Sequence, residues 1–175
     1  LFHGFLGSSA GWRRAISDLG QNFRVAAVDF PGAGYSERPA NLPYDLHWFA
    51  SQVPALIAEL GFQRPFIGGH SFGGSVAIHA AARNPALARG LLLAAPLVYQ
   101  QRPPPGLRFA KRHPGIAGRF FASSFGRKVI PFLVRNAAYA RKGTKVSKGV
   151  ERLVSHLDAP GGWEAATRMG LLAGE

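Results

Sequence analysis

The 175-residue sequence has no cysteine, which excludes disulfides, thiolate nucleophiles and cysteine-ligated metals. It is also poor in acid, with nine Asp and Glu against 21 Lys and Arg and a formal net charge of +12. Long apolar runs are missing: no stretch of about 18 hydrophobic residues occurs, so no helical membrane span is expected, and no charged leader precedes an apolar segment, so neither is a signal peptide. No His, Asp or Glu group has metal-ligand spacing, and no Gly-rich phosphate loop follows a strand-like run. The expectation is a chain without metal or cofactor, compatible with a reducing compartment and placed in the cytoplasm.

What is present suffices for a folded domain, since 47% of the residues are hydrophobic. The charge is concentrated: between residues 101 and 150 there are twelve Lys and Arg and no acid. Such a block suits phosphates, an anionic membrane surface or an acidic substrate, although its plainer reading is a solvated face. No nucleic-acid motif accompanies it, so nucleic acid is not an expected partner. Phe120, Phe121, Phe125, Phe132 and Leu133 stand among the charges, the composition of a segment that rests on a bilayer, but a membrane is not the favoured partner.

The pattern divides the chain in two. Over residues 1–96 strand-like runs (the end of one at Leu1-Phe2, then 23–29, 65–69 and 90–95) alternate with helical spacing at 12–19, 44–61 and 72–83. That alternation predicts an α/β architecture with a parallel sheet. Over 97–175 the texture is helical, basic and strand-poor, with helices expected near 107–122 (interrupted at Pro114), 127–140, 147–157 and 162–173. These would form a second, helical layer over a site.

The most informative stretch is Phe66-Ile67-Gly68-Gly69-His70-Ser71-Phe72-Gly73-Gly74. It reads as a buried strand turning directly into a helix through G-x-S-x-G. A nucleophile at such a bend needs strained dihedrals, and Gly69, Gly73 and Gly74 remove bulk where strand and helix close together. Ser71 then presents its hydroxyl at the sheet edge, near the Phe72 N–H and the helix N-terminus. With 22 glycines in the chain, the pentapeptide alone is a weak signal.

Three motifs in order carry more weight. His3-Gly4-Phe5, Asp29-Phe30-Pro31-Gly32-Ala33-Gly34-Tyr35-Ser36 and Gly69-His70-Ser71-Phe72-Gly73-Gly74 together resemble the α/β-hydrolase superfamily, in its branch with a helical lid. The resemblance covers residues 1–96; the remainder, a cap or lid segment over 97–175, matches in position and helical character alone. It implies a partial α/β-hydrolase fold, with Ser71 as nucleophile and the backbone N–H groups of Phe5 and Phe72 as the oxyanion hole. His3, Gly4 and His70 would support the loop and the bend, while Phe5, Phe72 and Trp163 would face a small apolar substrate. An aspartate nucleophile, as in the family's dehalogenases and epoxide hydrolases, is not what stands at position 71.

One departure is plain. In this family the acid and the base follow the nucleophile on loops after later strands, and here no strand-like run follows Pro96. The later histidines are His79, His113 and His156, the later acids Glu151, Asp158, Glu164 and Glu175. The expectation is therefore a piece of a serine hydrolase truncated at both ends, with acid and His missing and activity close to nil. The alternatives are a lyase resembling the menaquinone-pathway synthase, whose oxyanion loop is similar to His3-Gly4-Phe5-Leu6-Gly7-Ser8, and a non-catalytic binding protein of the same fold.

Overall fold

The computed structural model describes residues 1–98, 105–129 and 155–172. At its centre are two parallel strands, β1 (Phe66–His70) and β2 (Gly90–Ala94), paired from Phe66 opposite Gly90 to His70 opposite Ala94. Phe2 extends this sheet through parallel bridges to Gly69 on one side and Val28 on the other. The lateral order is thus Val28, Phe2, β1, β2. The strand expected over 23–29 is present as that one bridge, with the Val28 N–H donating to the Leu1 carbonyl at 3.1 Å.

Helix α1 (Arg13–Leu19) precedes Val28, α2 (Leu46–Glu59) packs against α3 (Phe72–Arg83), and α3 lies on β1 and β2. Asp45 caps α2 by accepting the Trp48 N–H at 2.7 Å. The helix ends at Gly61, whose φ of +65° lets the Gly61 and Phe62 amides return to the carbonyls of Ala58 and Ile57. Phe49 and Val53 of α2 meet Phe72 and Val76 of α3 and Phe30 in one core, all buried. Burying each such side chain contributes about 1.5–3 kcal/mol.

Beyond residue 104 the described residues are mostly helical, as their composition predicts. Helix α4 (Pro105–Arg112) stops before Pro114, which opens α5 (Pro114–Ala122); residues 124–129 are helical again. Ser155–Asp158 forms a 3₁₀ turn and α6 (Gly162–Leu172) follows. Of the helices expected over 127–140 and 147–157, residues 130–140 and 147–154 lie outside the described residues, with Phe132, Leu133 and most of the apolar stripe Val150, Leu153, Val154 and Leu157; Leu157 is described, buried in the 3₁₀ turn. Helix α6 packs on α5 and also sends Ala165 and Met169 into the core of Phe30, Phe49 and Phe72. Among the described residues no helix is long and apolar enough to cross a membrane.

Candidate active site

Ser71 sits between β1 and α3 with φ 49° and ψ −117°, in a region that residues with a Cβ avoid. Holding it there costs on the order of 1–3 kcal/mol, and its surroundings fix the bend from both sides. The Ser71 N–H donates to the Ala94 carbonyl at 3.0 Å, while the Ser71 carbonyl accepts from Gly74 (3.0 Å), Ser75 (3.2 Å) and Leu97 (3.2 Å). The end of β2 and the loop behind it are therefore as much a part of the bend as the pentapeptide itself. The Ser71 side chain is half-buried and makes no cap on its own helix.

Close backbone approach makes small residues necessary around it. A Cβ on Gly73 would lie 2.5 Å from the carbonyl oxygens of Phe2 and His3, so the start of α3 runs against the Phe2-His3 backbone. A Cβ on Gly69 would overlap the Gly73-Gly74 peptide, and one on Gly74 would meet Pro96 at 2.8 Å. On the other side of the bend, a Cβ on Gly4 would come within 3.1 Å of the Ser71 Cβ and 2.8 Å of His70 Nδ1. The His3-Gly4-Phe5 loop thus lies directly beside Ser71, with the His70 imidazole against Gly4 and otherwise exposed. Among the described residues, neither the Phe5 N–H nor the Phe72 N–H is engaged in a hydrogen bond.

The loop is braced from beneath by His3, which is 3% exposed. Its Nδ1 is 2.8 Å from the Gly4 carbonyl and its Nε2 is 3.1 Å from the Phe30 N–H. A carbonyl only accepts and an amide N–H only donates, so the ring is neutral with its proton on Nδ1. Burial lowers the His3 pKa from its ordinary 6.5, against the Gly4 bond and the Asp29 charge, which raise it. Asp29 ties the same loop to the glycine turn by accepting the Ser9 amide at 2.5 Å and the Tyr35 amide at 3.0 Å. Burial pushes the Asp29 carboxyl up, but those hydrogen bonds outweigh it and the pKa ends below its ordinary 3.8.

Two side chains expected to face substrate are placed otherwise. Phe72 is 1% exposed, its ring packed edge-on to Phe49 at 5.5 Å and Phe30 at 5.9 Å, because the first residue of α3 directs its side chain into the core between the helices. Trp163 is 3% exposed, clustered with Leu157, Ala166 and Leu6, and its indole N–H donates to Asp158 at 3.0 Å. Phe5 alone of the three remains open, at 42% exposure. His79 bonds the Ser75 carbonyl through Nδ1 at 2.9 Å within its own helix. No histidine among the described residues hydrogen-bonds the Ser71 hydroxyl.

The sequence reading missed the contacts that hold the helical segment to this loop. Leu6, at φ 60°, packs beneath Trp163. A Cβ on Gly170 of α6 would fall 2.6 Å from the Phe5 ring. The Arg38 guanidinium donates to Gly34 (2.7 Å), Ser36 (3.4 Å) and His156 (3.3 Å) carbonyls, joining the glycine turn to the 3₁₀ turn. Leu6 and Trp163, Phe5 and Gly170, and Arg38 and His156 are each more than a hundred residues apart, and no local pattern signals them. A cavity of about 400 Å³ lies elsewhere, walled by Leu19, Phe23, Leu56, Phe62, Phe66 and Leu92 at the opposite end of β1, and Ser71 does not line it.

Comparison with known proteins places these features in a context. A family model described as alpha/beta hydrolase fold matches residues 1–138. The chain is 36% identical over 84 residues to a 2-hydroxymuconate semialdehyde hydrolase of Pseudomonas sp. (strain CF600), covering 48% of this chain and 30% of that protein. It is 37% identical over 93 residues to a soluble epoxide hydrolase of Corynebacterium sp. (strain C12), covering 53% and 32%. An alpha/beta hydrolase fold protein from Burkholderia ambifaria superimposes with TM-score 0.78 at 21% identity, covering 98% of this chain and 62% of that one. The epoxide hydrolase CorEH superimposes with TM-score 0.74 at 23% identity, covering 98% and 64%. The chain thus spans about a third of the length of these curated relatives and under two thirds of the solved chains.

Proposed function

Because the chain belongs to the α/β-hydrolase fold family, we propose that Ser71 is the nucleophile of a hydrolase that cleaves an ester or related acyl bond in a small apolar substrate. The observation that carries this is the Ser71 backbone, held at φ 49° beside the Phe5 and Phe72 amides, which have no hydrogen-bond partner among the described residues. The hydroxyl attacks the acyl carbon and forms an acyl-enzyme that water releases; the Phe5 and Phe72 N–H groups receive the oxyanion. Each such donor lowers the barrier by on the order of 3 kcal/mol. The exposed Phe5 ring, in the loop beside Ser71, supports an apolar acyl group.

The related epoxide hydrolases do not extend to this chain as an activity. In the family's epoxide hydrolases an aspartate stands at the nucleophile position, whereas residue 71 is serine. The proton acceptor for the Ser71 hydroxyl is the part that the described residues do not supply. Without it the hydroxyl keeps an ordinary alcohol pKa and attacks slowly at neutral pH.

A fluorophosphonate probe separates the outcomes. On the protein as the cell makes it, labelling is expected at Ser71 and is lost in Ser71→Ala; no labelling of the folded protein refutes the nucleophile and favours a binding role. The 175 residues alone are expected to show close to no ester turnover, and Ser71-dependent turnover by them would overturn that expectation.

A further inference from the structure

Helices α4 and α5 have two apolar faces, and the fold uses one. The inner face is formed by the buried Ala110 and Ala117 with the half-buried Phe121, and α5 packs against α6. The outer face carries Phe109, Ile116 and Phe120, at 56%, 59% and 45% exposure, and continues into Phe125 at 66%. The Phe120 and Phe125 rings contact each other edge-on at 6.0 Å, and Ile116 lies one turn before Phe120 on the same face of α5. A cluster of large apolar side chains in water marks a contact surface.

The charges around it say what it contacts. Arg108, Arg112, Arg119, Arg127 and Lys128 are all exposed, and the sequence holds no Asp or Glu between residues 101 and 150. Apolar side chains flanked by exposed cations on short helices match the boundary between anionic headgroups and acyl chains. A second copy of the chain would bring the same cations together and repel. Nucleic acid would satisfy the cations, but the aliphatic Ile116 and the rings lying against one another present no set of open stacking platforms.

We infer that the outer face of α4 and α5 docks on an anionic lipid bilayer, with Phe109, Ile116, Phe120 and Phe125 entering the headgroup boundary and the arginines contacting phosphates. The inference goes beyond the hydrolase reading and does not depend on it.

Co-sedimentation of the full chain with vesicles tests it. Vesicles of phosphatidylglycerol and phosphatidylcholine in equal parts bind, and vesicles of phosphatidylcholine alone bind at least tenfold more weakly. Part of the binding persists when salt is raised severalfold, because apolar insertion is not screened. The double variant Phe120→Ser/Phe125→Ser loses that persistent part by about tenfold or more, and Arg119→Glu/Arg127→Glu loses low-salt binding by a similar factor. Unchanged far-ultraviolet circular dichroism excludes misfolding, since all four side chains are exposed. Absence of binding to the mixed vesicles at low salt overturns the inference, as does equal binding to both vesicle types. Binding that vanishes with salt and is matched by a single-stranded DNA oligonucleotide overturns it in favour of nucleic acid.

Discussion

At the scale of the residue, His3 shows how a buried histidine fixes a loop through its tautomer. Its ring must stay neutral, because Nε2 accepts the Phe30 N–H while Nδ1 donates to Gly4. The folded pKa lies below 6.5. In the unfolded chain the ring takes a proton as pH falls through about 6.5, before the folded protein does, so stability is full above that value and declines below it. The thermal midpoint is therefore expected to fall as pH is lowered from 6.5, and His3→Gln is expected to flatten that decline while costing about 1–3 kcal/mol for the partners left unpaired. An unaltered pH profile in the variant would remove His3 from this role. His3, Gly4, Ser71 and the glycines of the bend could be placed from the sequence, because steric demands at a sharp turn leave few residue types. The burial of Phe72 and Trp163 could not: both are aromatic residues next to a presumed site, and whether such a ring faces substrate or core depends on helices distant in the chain.

At the scale of the element, α6 and the loop after Phe2 behave as one unit. Gly170 lies in the helix, where alanine is ordinarily favoured by about 1 kcal/mol. Its missing Cβ is the space that the Phe5 ring uses. Gly170→Ala is expected to gain less than that amount alone and to gain it in full in a Phe5→Ala background, a coupling that thermal denaturation of the four proteins measures. Additive effects would show that the ring swings away freely. The helices Leu46–Glu59, Phe72–Arg83 and Gly162–Leu172 were legible from apolar spacing and their glycine or proline stops. The segment 23–29 misled, because its apolar residues settled neither burial, since Phe23 is exposed and Val25–Val28 are half-buried, nor the partner that a strand requires.

At the scale of the whole molecule, charge opposes the fold. A net charge of +12 on 175 residues, concentrated in one segment, sets cations against one another. Raising salt from low to physiological strength is expected to raise the thermal midpoint by about 2–4 °C for each kcal/mol of repulsion screened; a falling midpoint would show that attractive pairs dominate. The α/β architecture was legible from alternation, whereas the seam between α6 and the sheet-borne core was not, since Ala165 and Met169 carry no signal of where they pack. Phe72 belongs to both territories: its ring lies in the shared aromatic core and its main chain begins the helix behind Ser71. Evolutionary drift in that core therefore cannot be silent at the surface, and sequences that keep the same interior volume but reseat this ring would retain a folded molecule and displace the Ser71 bend first.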